Sequence, residues 1–450
     1  MRCGVATTLT IAHANHRTLH TIIRAGLPKL RLRLEEQGRW LPWYVERELE
    51  SFMLCGAAVE GFAWLSCEPC DHHLLVPFSC KGRGFCPRCG GRRMAEKSAR
   101  WVDELFPRVA VRQWVLTVPW QRRWDLARSQ LWVRGVLKIL IRRIQRHYRR
   151  QLKLPRGKTG SVTVVQRFGS ALNLNVHFHV LMLDGLYAER EGRMLLHRSP
   201  SLSTRHVEEL VIDVATEAER WLYKQSVDDP DSDCALAPVQ AASIRGRSAV
   251  SGQRAKRVQR LGGREFKLPP RCASFHGYNL HGNTVVAAKR RDELERLCRY
   301  VLRPPFSKER LEMRPDGHVR YTLKRAWSNG TTQLLFTPEQ FVERLVALIP
   351  PAHANTVLYH GVLASQAKDR QRLLPRPTAR RRPVKLRLTK TPVQRSRWTC
   401  WAELLERVFG VDSLACPHCG EQMTLRTVVV GFPATVKVLT GLELSARGPP

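Results

Sequence analysis

The sequence predicts an α+β fold: an antiparallel sheet with flanking helices, preceded by a zinc-binding module and followed by a small C-terminal module. Three observations carry this reading. Between residues 108 and 366 the apolar periodicity runs strand, helix, strand, strand, helix, which suits a helix-flanked antiparallel sheet. Ahead of it, Cys67-x2-Cys70 and Cys86-x2-Cys89 stand fifteen residues apart, the spacing of a zinc ribbon or treble clef. After it, residues 367–397 are rich in Arg, Lys and Pro without a clear period, the composition of a basic linker. The expected organisation is therefore a helical and zinc-binding domain at 1–107, a central domain at 108–366, a linker at 367–397 and a small module with a CxxC at 398–450.

In chain order, residues 40–57 and 95–105 read as helices around the cysteine module, and 109–118 as a strand. A long basic helix is expected at 122–152, with Arg134, Lys138, Arg142, Arg146, Arg149 and Arg150 on it as candidate DNA contacts or a solvated face. Strands follow at 161–168 and 175–184, then a helix at 204–225 capped by Ser203 or Thr204. The Asp cluster at 228–233 reads as an exposed linker, and the Gly- and Arg-rich 245–267 as a pliable loop that tracks phosphates. Residues 292–303 carry Leu294, Leu297, Cys298 and Val301 on one helical face, and Pro304-Pro305 ends the helix. Asn329-Gly330 predicts a hairpin joining 319–325 to 331–336, and Thr337-Pro338 starts a helix reaching Leu348.

The chemistry concentrates in two of these elements. Successive strand side chains point to opposite faces, so His177 and His179 share a face about 6.6 Å apart and can both reach one divalent cation. A hydrogen-bonded core pair is the alternative. On the 292–303 helix, Arg296, Tyr300 and Arg303 fall at i, i+4 and i+7 along one stripe, so a phenol is flanked by guanidiniums suited to a phosphodiester.

The cysteine module is expected to close one tetrahedral Zn²⁺ site from Cys67, Cys70, Cys86 and Cys89. Cys80 is a substitute ligand, and His72 and His73 are weaker ones. Lys81, Arg83 and Arg88, with Arg92 and Arg93, make the module a candidate DNA reader, or a purely structural one. The last pair, Cys416-Pro417-His418-Cys419, has no second pair after it. It reads either as an incomplete knuckle completed by Cys400 or a histidine, or as a turn with two free thiols.

Composition points to a polyanionic partner. With 75 Lys and Arg against 39 Asp and Glu, the formal charge is +36, so phosphate binding that weakens steeply with salt is expected. The 450-residue length argues against a small ribosomal protein. No apolar run reaches the roughly 18 residues of a membrane span and no signal peptide is evident, so a cytoplasmic location with reduced thiols is expected. The chain has no GxxxxGK[ST] loop.

The pairing of NVHFHVLMLDG with RLCRYVLRPP resembles the rolling-circle insertion-sequence transposases of the HUH endonuclease superfamily. The likeness extends along most of the chain, through SCKGRGFCPRCGGRRMAE, VQRFGSALNLNVHFH, YHGVLA and CPHCGEQM. Arg296 and Pro304 occupy the positions four before and four after Tyr300, so the resemblance is to the single-tyrosine, common-region branch. It implies an HUH palm in which His177 and His179 bind Mg²⁺ or Mn²⁺. It further implies that Tyr300 cuts one DNA strand of the element's own single-stranded or hairpin ends, leaving a 5′-phosphotyrosine and a free 3′-hydroxyl. A third metal ligand is then expected. Gln166 is the first candidate and Asp184, on the opposite face of a regular strand, the second. Tyr359 is the rival nucleophile. A rolling-circle replication initiator and a noncatalytic zinc-containing nucleic-acid-binding protein are the alternatives.

Overall fold

The computed structural model describes residues 8–11, 17–225, 236–259, 269–375, 407 and 412–442. At its centre lies an antiparallel sheet built from Cys272–Phe275, Tyr278–His281, Val111–Thr117, Leu174–Leu183, Gly160–Phe168 and Val357–Gly361, adjacent in that order. A short strand, Val285–Val286, also pairs with Val111–Thr117. The expected strands at 109–118, 161–168 and 175–184 are all present, and the architecture is α+β.

The period of two along Leu174–Leu183 decides the layering. Val176, Phe178, Val180 and Met182 face helices Gln130–Leu152 and Thr204–Gln225, which contribute Val136, Leu140, Ile144, Val207, Leu210 and Val214 to one core. Leu181 and Leu183 point the other way, into a second core with Val162, Val164, Trp101 and helix Arg291–Leu302. The sheet thus separates two layers, and the histidines belong to the layer of the Tyr300 helix.

The single helix expected at 122–152 is instead two, Trp120–Arg128 and Gln130–Leu152. Ser129 sits between them in extended backbone, and its hydroxyl accepts from Trp132 N, which caps the second helix. Arg142 and Arg143 on that helix pair with Glu217 and Asp213 of the neighbouring helix, on the side of the sheet away from the histidines. The helix Thr204–Gln225 forms as expected, and Ser203 is its cap, accepting from His206 N at 3.2 Å. Thr337 and Gln340 make a reciprocal capping box at the start of Pro338–Leu348.

Helices Arg17–Glu35 and Trp43–Met53 pack with Pro338–Leu348 and the hairpin Val319–Thr322/Thr331–Phe336 in a third core, so the N-terminal segment is fastened to the second half of the chain. Lys256–Gln259, inside the loop expected at 245–267, adds a strand to that hairpin. A further sheet orders Thr8–Ile11, His72–Pro77, Phe62–Cys67 and Thr424–Val429. The C-terminal module is therefore not set apart: its strand lies antiparallel to Phe62–Cys67. The Asp cluster at 228–233 and the linker from 376 to 397 lie outside the described residues.

Candidate active site and cysteine clusters

His177 and His179 stand side by side, ring centroids 4.9 Å apart. Tyr300 reaches them from the last turn of Arg291–Leu302, its ring edge-on to His179 at 5.9 Å. The apolar face of that helix is buried, which leaves Tyr300 at the rim, 42% exposed. Three groups from two remote parts of the sequence thus come together at one site.

Burial is the main reason His177 is held down at about 4, with Arg303 and Arg123 adding to it and a hydrogen bond to Asn175 O opposing it. Burial likewise lowers His179, helped by His177, Arg303 and His281. Both rings are therefore neutral near pH 7, the form that ligates metal. His177 Nδ1 lies 2.8 Å from Asn175 O and donates to it, which turns Nε2 outward as a lone-pair donor. His179 Nδ1 is 2.8 Å from the side-chain amide of Gln113, and its Nε2 is buried without a hydrogen-bond partner.

Gln166 lies directly across the strand pair from His177. Its Nε2 donates to Val301 O at 2.6 Å, and its Oε1 is buried without a partner. Among the described residues no His, Cys, Asp or Glu completes a metal-binding group with the two histidines. The orphaned Gln166 Oε1 and His179 Nε2 are what a divalent cation would satisfy.

Asp184 is elsewhere. It forms a bidentate ion pair with Arg112 at 2.8 and 3.0 Å and accepts from Tyr148 Oη at 3.1 Å, buried on the opposite face. Tyr359 stands on the edge strand beside Gly160–Phe168, where its hydroxyl accepts from Trp101 Nε1 at 3.1 Å.

The two arginines expected to flank Tyr300 are used unequally. The Arg303 guanidinium lies 4.4 Å from the Tyr300 ring centre, and its Nη1 is buried without a hydrogen-bond partner. Arg296 is exposed on the helix surface. Lys324 Nζ, 5.7 Å from the same ring, is a cation the sequence did not single out. Gln113 and Arg123 were missed in the same way, since only the register of the strand pair and the helix Trp120–Arg128 after it bring them to the histidines.

The expected zinc ligands divide between two clusters. Cys86 and Cys89 gather with Cys55 and Cys80, whereas Cys67 and Cys70 gather with Cys416 and Cys419. In each group all ligand atoms lie within 4.8 Å of one another. A single site from Cys67, Cys70, Cys86 and Cys89 does not form, because Cys67 ends one strand of the terminal sheet and Cys86 caps the helix Pro87–Arg100. Cys80 is a full member of its cluster, and Cys55, which belongs to no CxxC, is a member the spacing could not reveal. Cys400 lies outside the described residues. Of the basic residues proposed to read DNA here, Arg83 donates to Ala354 O at 2.7 Å and Arg88 to Pro77 O at 3.2 Å, so both brace backbone, while Lys81 is exposed.

A cysteine-rich module braced against an α+β domain, in a chain of such positive charge, fits the class of nucleic-acid-acting proteins. Residues 160–371, which include both histidines and Tyr300, match the family described as "Putative transposase", and residues 29–118 match that described as "Transposase zinc-binding domain". The chain is an IS91-type rolling-circle transposase with an N-terminal zinc-binding domain. No curated protein and no solved structure matches it. Among the described residues no helix is long and apolar enough to cross a membrane.

Proposed function

We propose that this transposase cuts and rejoins single-stranded or hairpin DNA at the ends of its own element by transesterification, with Tyr300 as nucleophile. The observation that carries the reading is the meeting of Tyr300 with the His177–His179 pair, 5.9 Å between the rings of Tyr300 and His179. In the forward step the Tyr300 hydroxyl loses its proton and its oxygen bonds to phosphorus. The bond from phosphorus to the 3′ oxygen breaks, and that oxygen leaves as a hydroxyl after taking up a proton. The phosphotyrosine keeps a phosphodiester, so the reverse attack by a 3′-hydroxyl needs no nucleotide cofactor.

His177, His179 and Gln166 Oε1 would hold the Mg²⁺ or Mn²⁺, which polarises a non-bridging phosphate oxygen when bound. Gln113 Nε2 lies 2.8 Å from His179 Nδ1, and with that amide turned over its oxygen would accept from Nδ1–H, fix the ring and leave His179 Nε2 free to ligate. Arg303, stacked on the phenol with one guanidinium nitrogen unsatisfied, offers charge to the phosphate as the bond forms. Lys324 and Arg296 extend that positive surface outward.

The test is incubation of the purified protein with labelled single-stranded DNA from the element's end and Mn²⁺, followed by denaturing electrophoresis. Wild type and Tyr359→Phe should yield a covalent adduct and Tyr300→Phe none. An undiminished adduct from Tyr300→Phe, lost instead in Tyr359→Phe, would move the nucleophile to the edge strand. No adduct from any form would favour a noncatalytic DNA-binding role.

A further inference from the structure

We infer that Cys67, Cys70, Cys416 and Cys419 hold a second Zn²⁺, separate from the one at Cys55, Cys80, Cys86 and Cys89, and that this ion clasps the C-terminal segment to the N-terminal domain. The ligands come from two CxxC turns that meet across the terminal sheet. Cys67 ends strand Phe62–Cys67, and the turn through Asp71, at φ 51°, leads into His72–Pro77. Opposite it, Cys416 N donates to Glu421 O at 2.7 Å and Gly420 N to Cys416 O at 2.9 Å, folding a tight loop before Thr424–Val429. Gly420, at φ 79°, takes the left-handed backbone that this loop needs.

The sulfur geometry fits a tetrahedral ion. With zinc–sulfur bonds of about 2.3 Å, tetrahedral ligands stand roughly 3.8 Å apart. Cys67 Sγ is 3.5 Å from Cys419 Sγ, and Cys70 Sγ is 3.6 Å from Cys416 Sγ. All four are free thiols rather than disulfides. Four soft sulfur donors in this arrangement select zinc over magnesium or manganese. The two clusters do not compete for ligands, since each has its own four cysteines.

Burial explains why an ion is needed here. In residues 412–442 the buried apolar side chains are Cys416, Met423, Val429 and Leu439, too few to fold so short a segment by itself. They pack on Phe62, Leu65, Cys67 and Leu75 of the N-terminal domain, and Thr435 Oγ1 donates to Val59 O at 2.7 Å. Metal binding and docking of the last strand are thus one event.

The test is zinc content per full-length chain, by atomic emission after gel filtration. Wild type should carry two zinc ions, the double variant Cys416→Ser/Cys419→Ser one, and Cys419→His two, because Cys₃His is an accepted zinc shell. Titration of the metal-free wild type with Co²⁺ should give two equivalents, each with a thiolate charge-transfer band. The two-zinc chain is overturned by a wild type that holds a single zinc and a single thiolate-bound cobalt, or by a double variant that keeps both. If the double variant proves insoluble, the wild-type zinc and cobalt counts and the Cys419→His count decide.

Discussion

Gly90 and Pro304 touch: a Cβ on Gly90 would lie 2.8 Å from Cβ of Pro304. Gly90 follows Cys89 of the zinc cluster, and Pro304 ends the turn that carries Tyr300. The zinc-bearing helix Pro87–Arg100 is thereby a backstop for the nucleophile, and the absence of one methyl group sets how closely the two helices approach.

Gly90→Val should therefore push the tyrosine helix away from the histidines. Adduct formation is expected to fall by about 10- to 100-fold, as misplacement of about 1 Å does in oriented reactions. Zinc content should stay at its wild-type value. A variant with full cleavage activity would show that the contact is incidental.

Gln113→Leu should weaken metal use at the histidines, since the amide 2.8 Å from His179 Nδ1 fixes that ring. Loss of such an outer partner typically costs 10- to 100-fold in metal affinity, about the shift expected in the Mn²⁺ concentration for half-maximal cleavage. Gln113→Glu, which restores an acceptor, should recover much of it. An unchanged Mn²⁺ dependence in the leucine variant argues against the orienting role.

Asp184→Ala should act on stability and leave the Mn²⁺ dependence alone. It strands the buried Arg112 guanidinium and removes the acceptor of Tyr148 Oη, and breaking a buried pair from one side typically costs about 3–5 kcal/mol. Urea denaturation measures the loss. A stable protein with impaired Mn²⁺ response would return Asp184 to the metal.

His147 gives a pH signature. Burial, then His206 with its ring centroid 4.9 Å away, holds His147 at about 4. The unfolded chain binds this proton near 6.5 and the folded one only near 4, so stability falls as pH drops through that window. In His147→Gln the decline between pH 6.5 and 4 should be shallower than in wild type. Equal slopes would show that His147 is not a source of the acid sensitivity.

What could be read from the sequence was local. The His177–His179 strand and the Tyr300 helix each carry their own period, and Asn329-Gly330, Thr337-Pro338 and Ser203 announce turns and caps. The opposite face assigned to Asp184 also follows from parity along a strand. Ser129 escaped notice because the apolar pattern continues across it, although one capping hydroxyl divides the helix. The pairing of cysteines was illegible for a different reason. Adjacent CxxC motifs suggest a shared ion, but Cys67 is separated from Cys86 by the direction of its hairpin, and its partners arrive from some 350 positions away. Lys324 and Gln113 carry no motif at all and reach the site only through strand register and the hairpin that follows the tyrosine helix.

The pairing of Thr424–Val429 with Phe62–Cys67 has a consequence for biosynthesis. A polypeptide leaves the ribosome amino end first, yet this sheet lacks the strand beside Phe62–Cys67 until Thr424–Val429 has been made. Phe62 and Leu65 must wait uncovered while the catalytic half is made. The sheet around Phe62–Cys67 is thus completed only after the catalytic domain has been made, and premature termination anywhere upstream of Cys416 would leave that strand unpaired on one side.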